Sequence, residues 1–170
     1  MSSEASWGCG GRVASAEFRR ACGRFATGVT IASVLDAQGT PHGLTVSSFT
    51  SVSLDPPLIL ICLGHRVSVI EAFRASAHFG INVLAEDQRD LAERFARKGQ
   101  DRFDGLKWQR GKTGVPILAG VLAAMECAVR QRFTAGDHDI FVGEMVGARL
   151  ADGAPLIHFA SHYRRLDRSR

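Results

Sequence analysis

Six hydroxyl-bearing side chains precede a continuous apolar run in the segment 45–63, TVSSFTSVSLDPPLILICL. They are Thr45, Ser47, Ser48, Thr50, Ser51 and Ser53. Hydroxyl and backbone N–H groups are neutral hydrogen-bond donors and acceptors, and the segment has no titratable side chain before Asp55. Such a surface suits a flat heterocycle with polar edges and a phosphate better than it suits acid–base catalysis. An exposed edge strand with solvated Ser and Thr is the simpler interpretation of the segment taken alone.

A second candidate is the segment GDHD at 136–139, which lies between two long strand-like segments. Its Gly and Asp content is sufficient for a turn. A histidine held at such a tip can also contact a ligand as a hydrogen-bond donor or as a charge. His138 is therefore a candidate ligand contact, although the segment taken alone indicates only a turn.

Several apparent motifs carry no chemistry. Five residues separate Gly105 from Gly111 in GLKWQRGKT, whereas a phosphate-binding P-loop requires four. His158 and His162 lie in a strand-like segment, where residues four apart are separated by about 13 Å, and no third metal ligand is evident. The sequence also has neither a GxSxG nucleophile elbow nor a GxGxxG loop after a strand. We therefore expect no metal site, no acyl-transfer serine and no Rossmann-type nucleotide site.

The composition is that of an ordinary globular domain. The 170 residues are 45% apolar and 22% charged, and 21 basic against 17 acidic residues give a net charge of +4. The basic residues are scattered except in the tail YRRLDRSR, whereas a nucleic-acid binder clusters them on one face or helix. We therefore expect no nucleic-acid partner. The charge is compatible with a modest attraction for phosphorylated small molecules.

The chain is expected to work in the cytoplasm and outside any membrane. No apolar run reaches the roughly 18 residues that span a membrane, and the first segment, MSSEASWGCGGRVAS, lacks the apolar core of a secretory signal. The cysteines form no CxxC pair, and Cys62 and Cys127 lie within apolar runs, as small buried hydrophobic residues do. A disulfide framework is therefore not expected, which favours a reducing compartment.

Hydrophobic periodicity and turn residues predict about seven short strands and two or three short helices. The predicted strands are 29–35, 44–49, 57–63, 79–84, 124–133, 140–150 and 155–163, and the predicted helices are 15–28, 67–77 and 86–98. Ser15 is the expected cap of the first helix and Gly28 its stop. The strand 57–63 is expected to be buried on both faces, and 99–114 is expected to be a long loop.

These helices do not alternate regularly with the strands, so a doubly wound parallel sheet is disfavoured. The pattern favours a mainly β fold, a closed antiparallel barrel with a few short connecting helices. We expect a flexible arm over 1–14 and one domain over 15–170.

Six sequence blocks in a fixed order resemble the short flavin reductase family, the reductase components of two-component flavin-dependent monooxygenases. The blocks are FATGVTIASV, GLTVSSFTSVSLDPPLILICL, HFGINVLAEDQRDLAERFA, GVPILAGVLAAMECAV, GDHDIFVGEMV and PLIHF. They extend from about Phe18 to Leu166. The resemblance implies an FMN-binding split barrel, which is a Greek-key antiparallel β-barrel, assembled as a homodimer. It also implies an NAD(P)H:flavin oxidoreductase that supplies reduced flavin to a separate monooxygenase.

The resemblance assigns site residues by position. For the flavin it implies Thr45, Val46, Ser47, Ser48, Ser51, Val52, Ser53, Cys62, Ser68, Phe79, Lys98 and Phe103. For the nicotinamide it implies Gly136, Asp137, His138 and Tyr163, with His138 as the catalytic residue. The block 45–53 would line the flavin ring, and 62–68 would reach toward the phosphate. Phe79 and the segment 98–103 would border the remainder of the flavin. The family's habit favours FAD and NADH, with FMN and NADPH as the alternatives.

The sequence departs from the family pattern near its C-terminal end. His158 stands where the family more often has Tyr, and Ser161 and His162 replace a more usual Gly-containing turn. These departures concern the nicotinamide side of the expected site. Two other functions compete with the reductase: a flavin- or haem-binding split-barrel carrier without turnover, and a dimeric regulatory scaffold without flavin affinity.

Overall fold

The computed structural model describes residues 11–99 and 101–166. Within these ranges there are three helices: α1 (Ser15–Cys22), α2 (Ile70–Ala75) and α3 (Arg89–Ala96). The strands of the same ranges are β1 (Thr27–Gly28), β2 (Thr30–Leu35), β3 (Pro41–Val46), β4 (Thr50–Ser53), β5 (Leu58–Gly64), β6 (His78–Val83), β7 (Trp108–Arg110), β8 (Pro116–Leu118), β9 (Ala123–Ala135), β10 (His138–Leu150), β11 (Ile157–Phe159) and β12 (His162–Arg164). Most of the expected arm, residues 1–10, lies outside the described residues.

One seven-stranded antiparallel sheet forms the centre of the structure, in the order β3-β2-β6-β9-β10-β5-β4. Its two edge strands, β3 and β4, follow one another in the chain and are joined by residues 47–49. The sheet therefore curves until its edges meet at this short connection. Two small sheets flank it, one of β1, β11 and β12 and the other of β7 and β8. The predicted mainly β antiparallel fold is confirmed.

The apolar core has two parts. Within the curved sheet, the rings of Phe73 and Phe141 pack edge to face with centroids 6.1 Å apart. A Cβ at Gly143 would lie 2.6 Å from the Phe79 ring, so glycine is required for this close approach. The second part lies under α3 and is built around Phe95 and Phe103. The same two clusters place α3 against the outer side of β3, beside the candidate site.

The N-terminal helix is shorter than predicted and differently capped. It ends at Cys22, six residues before Gly28, because the Gly23 N–H already closes it on Arg19. Ser15 is its first helical residue rather than its cap, and it makes no capping hydrogen bond. None of its residues is buried, and Phe18 remains 62% exposed. Its predicted apolar face is exposed in the part of the chain that the structure describes.

Three strand predictions were wrong in detail. The segment 44–49 is not one strand, because β3 ends at Val46 and β4 begins at Thr50. The β5 strand alternates buried and half-buried residues instead of being buried on both faces, since only one face meets the core. The segment 155–163 contains a turn at Ala160 and Ser161, with φ of 49° and 65°, which makes it the hairpin of β11 and β12. Neither residue type signals a left-handed turn, so the sequence pattern did not reveal this turn.

The loop predicted over 99–114 contains β7.

No helix in the described ranges is long and apolar enough to cross a membrane. Nor do the described residues contain a cluster of metal-ligating side chains, and His158 and His162 lie on different strands of one hairpin. His158 pairs in register with Tyr163.

Asn82 connects three strands from within the core. Its side chain is fully buried, and its Nδ2 donates to the Ile31 carbonyl at 3.2 Å. Its Oδ1 accepts from the Leu118 N–H at 2.8 Å. Asn82 thereby holds the small β7–β8 sheet, and the segment around Phe103 that precedes it, against the main sheet.

Asn82→Ala is expected to lower the free energy of unfolding by about 1–3 kcal/mol, since the Leu118 N–H stays buried without an acceptor. Urea unfolding followed by circular dichroism measures the loss. Gln131→Ala, at an exposed position of β9, is the control and should change the free energy by less than about 0.5 kcal/mol. Equal effects of the two variants would contradict this role of Asn82.

Candidate functional site

Ser48 closes the curved sheet with its side chain. Its hydroxyl donates to the Cys62 carbonyl at 3.0 Å and accepts from the Cys62 N–H at 2.9 Å. The pairing of β4 with β5 stops at Leu60, two residues before Cys62. The two bonds of Ser48 therefore take the place of the backbone hydrogen bonds that β4 would otherwise make to Cys62. The Ser48 hydroxyl proton is thus committed within the chain. Ser48 therefore shapes the site, and its hydroxyl has no proton left to donate to a ligand.

A second hydroxyl of the block is also used internally. Thr45 donates to the Ala92 carbonyl of α3 at 2.7 Å. Val46 is buried, and its carbonyl accepts from Thr30 at 3.0 Å. These bonds fix β3 between its neighbouring strand and α3, so the strand leading to the site is rigid.

The remaining block presents an open polar edge. Ser47 and Thr50 are exposed, as are Ser51 and Val52, whereas Ser53 is half-buried. Because β4 is an edge strand of the seven-stranded sheet, its outer backbone N–H and C=O groups have no strand partner in the described chain. The hydroxyls and this edge together offer the neutral donors and acceptors that the sequence indicated.

Gly136 and Asp137 form the two-residue loop of the long β9–β10 hairpin, and His138 and Asp139 are the first residues of β10. Gly136 has φ of 61°, a conformation in which glycine is favoured. The His138 Nδ1 lies 2.7 Å from a carboxylate oxygen of Asp137, and this bond holds the pKa of Asp137 below its ordinary value. His138 pairs with Gly64 of β5, and its half-exposed imidazole lies over that residue, where a Cβ would be in ordinary van der Waals contact with Nε2 at 3.5 Å.

Asp139 ties this hairpin to the segment that follows β5. Its buried carboxylate accepts from the His65 Nε2 at 2.9 Å and from the Thr134 hydroxyl at 3.1 Å. Its other oxygen accepts from the Arg74 Nε at 2.7 Å. The backbone of His65 also donates to the Asp137 carbonyl at 2.9 Å. The segment 64–68 and the hairpin tip are therefore held in one fixed arrangement.

The charge on Asp139 persists across the physiological range. The hydrogen bond from Arg74 is the largest cause that lowers the pKa of Asp139, to about 2, against the opposing effect of burial. Because this folded-state pKa lies below the ordinary value of 3.8, the carboxylate contributes stability above pH 4. That contribution is lost only as the pH falls toward 2.

A cavity of about 440 Å³ opens beside β3. It is lined by Thr40, Pro41, His42, Gly43, Ser68, Val69, Gly99, Asp101, Arg102 and Phe103. Two predicted flavin residues, Ser68 and Phe103, meet here although they are distant in the sequence. Lys98 is exposed next to Gly99 at the same rim. The Phe103 ring packs edge to face on Phe95 with centroids 5.0 Å apart, which fixes the floor of the cavity.

Phe79, Cys62 and Tyr163 lie away from this cavity and from the open polar edge of β4. Phe79 is 1% exposed and packs in the core, so it offers no face to a ligand and is left out of the candidate site. The Cys62 backbone is held by Ser48, and burial raises the pKa of its half-buried thiol. Tyr163 contacts His158 and Arg89, and neither of these contacts His138, so a single chain does not bring the two predicted nicotinamide residues together.

Sequence reasoning assigned no role to Asp139 or His42, whereas Arg102 lies within the segment 98–103 that the resemblance placed beside the flavin. Asp139 was indistinguishable from a turn residue, because its partners His65 and Arg74 are more than 60 residues away. No local pattern separates Arg102 from the chain's other arginines. Only the folding of residues 97–103 against β3 places it in the cavity.

The model of the flavin reductase like domain matches residues 22–167. A "Probable flavin reductase" of Rhizobium meliloti is 46% identical over 127 residues, which cover 75% of this chain, but the chain spans only 41% of that longer protein. The reductase component of a Rhodococcus opacus 4-nitrophenol 4-monooxygenase/4-nitrocatechol 2-monooxygenase is 40% identical over 87% of this chain and 79% of its own length.

A solved structure shows the same fold. The NADH:FAD oxidoreductase SgcE6 of Streptomyces globisporus, in complex with NAD and FAD fragments, superposes with a TM-score of 0.85 at 37% identity. The superposition covers 90% of this chain and 93% of SgcE6. With a family model matched over nearly its whole described length and a relative of similar length at 40% identity, this chain belongs to the flavin reductase like domain family.

Proposed function

We propose that the chain is an NAD(P)H-dependent flavin reductase, which transfers a hydride from NADH to FAD or FMN and supplies reduced flavin to a separate monooxygenase. The observation that carries this proposal is the arrangement around β3. Its C-terminal end leads into the polar edge at Ser47, and its N-terminal half lines the 440 Å³ cavity. Family membership and the names of the relatives support the same activity.

The residues present fit a flavin. An elongated ligand with a flat polar-edged ring and a phosphorylated chain can place the ring at the open edge near Ser47 and the chain along β3 toward Ser68. When bound, the flavin accepts the hydride that the nicotinamide donates. Hydroxyl and backbone N–H donors at the edge of β4 would stabilise negative charge that develops at the ring during reduction. The protein's part is therefore binding, orientation and electrostatic stabilisation.

His138 is assigned to positioning the nicotinamide at the hairpin tip. Hydride transfer takes no proton from the nicotinamide, so a general base is not needed there. A close stacked geometry is needed instead, with reacting atoms about 3–3.5 Å apart. The bonds of Asp137 to the imidazole and of Asp139 to His65 hold this tip in place.

We place the reaction in the cytoplasm, since Cys22, Cys62 and Cys127 are free thiols.

NADH oxidation in the presence of FAD, FMN or no flavin, followed anaerobically by the loss of oxidised-flavin absorbance, tests the proposed activity. Flavin or haem binding without NADH turnover would instead identify a carrier. No binding at all would indicate a scaffold.

His138→Ala is expected to raise the KM for NADH and to lower kcat, because the nicotinamide loses its positioning contact. Flavin affinity should stay within about twofold of the wild type, since the flavin contacts lie on β3 and β4. Steady-state kinetics and flavin titration measure the two quantities. Loss of flavin binding with intact NADH kinetics would contradict this assignment, because it would mean that His138 contacts the flavin and not the nicotinamide.

Ser47→Ala and Ser48→Ala are expected to differ. Ser47 is exposed, so its removal should weaken flavin binding about two- to tenfold without changing stability. Ser48→Ala removes both bonds to Cys62 and should also lower the free energy of unfolding by about 1–3 kcal/mol. Flavin titration and urea unfolding of each variant measure these effects. Wild-type flavin affinity in both variants would mean that the segment 45–53 is only an edge strand and does not bind the flavin.

A homodimer is expected, because a large apolar surface of the single chain is exposed. Its exposed apolar side chains are Val13, Phe18, Phe25, Val52, Leu54, Phe133, Val146, Leu150 and Leu166. An interface of roughly 2,000 Å² or more is typical of obligate dimers. Light scattering at micromolar concentration should show a dimer. Phe18→Glu should weaken it and the adjacent Glu17→Gln should not, whereas a wild-type monomer would contradict the expectation.

A further inference from the structure

We propose that a groove between β7 and the C-terminal half of β10 binds an extended acidic segment of the monooxygenase that receives the reduced flavin. The inference rests on the proposed function and goes beyond it, because it assigns a docking surface that none of the predicted site residues lines. Gly147, in this groove, lies on the same strand as His138 but about 30 Å along it. A segment bound there therefore leaves the hairpin tip open.

Two adjoining cavities form the groove. Their volumes are about 260 and 310 Å³, and both are lined by Gln109, Ile117 and Arg149. Because they share these residues, the two cavities form one continuous depression along β7. Gly147 and Ala148 of β10 line the first cavity. Neither carries a side chain larger than a methyl group, so the groove has room for the backbone of a further chain.

Both strands beside the groove have an open backbone edge in the described part of the chain. β7 pairs with β8 alone, in a two-stranded sheet. β10 pairs with β5 only as far as Glu144, whereas residues 147–150 pair with β9 alone. The N–H and C=O groups on such free edges are satisfied when an extended peptide adds as a strand. A small anion cannot pair with a strand edge, so these edges favour a peptide as the occupant.

The groove is positively charged. Lys112 and Arg149 line it, and within residues 11–99 and 101–166 neither has a carboxylate within 4.0 Å of its charged group. Arg110 adds a third positive charge at the end of the groove, where its terminal nitrogen lies beside Gly39. The acidic lining residue is Glu126, and both its oxygens accept backbone N–H groups of the turn after β7, at 3.0 and 2.6 Å. The charge that remains is complementary to an acidic segment.

This charge also argues against the other occupants that the chain itself could supply. Two copies that met at this groove would bring like charges together, which is unfavourable. The open edge of β4 carries hydroxyls and Val52 but no carboxylate, so it does not match the groove either. Residues 1–10 contain a single acidic side chain, Glu4. Under the proposed function, the protein that the chain must meet is the monooxygenase, and we therefore assign the groove to it.

Isothermal titration of synthetic peptides against the full chain tests the proposal. The first peptide is Glu-Val-Glu-Val-Glu with both ends blocked. The second has lysine in place of glutamate, and the third has proline in place of valine, which keeps the charge but removes backbone N–H donors. We expect a Kd below about 1 mM for the first peptide, and binding about tenfold weaker or more for the other two.

Arg149→Glu should weaken binding of the first peptide about tenfold or more, because it reverses a charge in the wall of the groove. Arg20→Glu, at an exposed position of α1, is the matched control and should bind the peptide as the wild type does. Neither substitution should change the rate of flavin reduction by NADH, since no residue of the groove belongs to the proposed reductase site.

Several outcomes would overturn the proposal. Equal binding of the acidic and lysine peptides would remove the charge argument, and equal binding of the proline peptide would mean that no strand edge is used. Wild-type binding by Arg149→Glu would place the peptide elsewhere. Conversion of a dimer to a monomer by Arg149→Glu, measured by light scattering, would assign the groove to contacts between copies of the chain.

Failure of the proposed function gives a different result. Because titration needs no turnover, a chain that reduces no flavin could still bind the acidic peptide through Arg149. That combination would defeat the proposed function, and with it the monooxygenase as the occupant, but it would leave the acidic-peptide site standing. Flavin reduction without any peptide binding would do the reverse, because it would defeat the docking site and leave the reductase standing.

Discussion

The two hydrogen bonds between Ser48 and the backbone of Cys62 are the constraint on which the site depends. They join the connection between the two edge strands to β5 at the point where the backbone ladder stops. Without them, residues 47–49 would be held to the opposite side of the curved sheet only through the pairing of β4 with β5. Ser47, the residue before Ser48, is exposed to solvent. One side chain thus helps to close the sheet beside the proposed flavin-binding edge.

A second constraint acts across the site, on the side of the hairpin. The Asp139 carboxylate joins α2, the segment after β5 and the hairpin tip through Arg74, His65 and the β-strand that carries His138. The hairpin tip and the segment 64–68 are therefore held in one fixed arrangement. Under the proposed function, such a fixed arrangement would serve hydride transfer, which depends on the orientation of the two bound cofactors.

The sequence predicted the fold class, because hydrophobic periodicity and turn residues are local signals. The resemblance proposed 45–53 and 136–138 as functional segments, but the sequence did not show that the Ser48 hydroxyl is consumed by Cys62 or that Phe79 is enclosed beside Gly143. Those facts depend on pairings between distant strands. The role of Asp139 escaped for the same reason, since its partners are supplied by the tertiary fold. The turn at Ala160 was missed because alanine rarely adopts its left-handed conformation.

The exposed β4 strand has a cost for the chain in its ligand-free, single-copy form. It is an edge of the main sheet, and Val52 and the nearby Leu54 are 49% and 91% exposed. An open edge with apolar side chains is a template on which a strand of another molecule can add. Natural sheets usually protect such edges with charges or a covering loop, whereas this one carries hydroxyls and stays open. Under the proposed function, the surface that must remain accessible to the flavin would therefore make the empty chain the form most prone to aggregation, and a flavin bound at the edge would protect it.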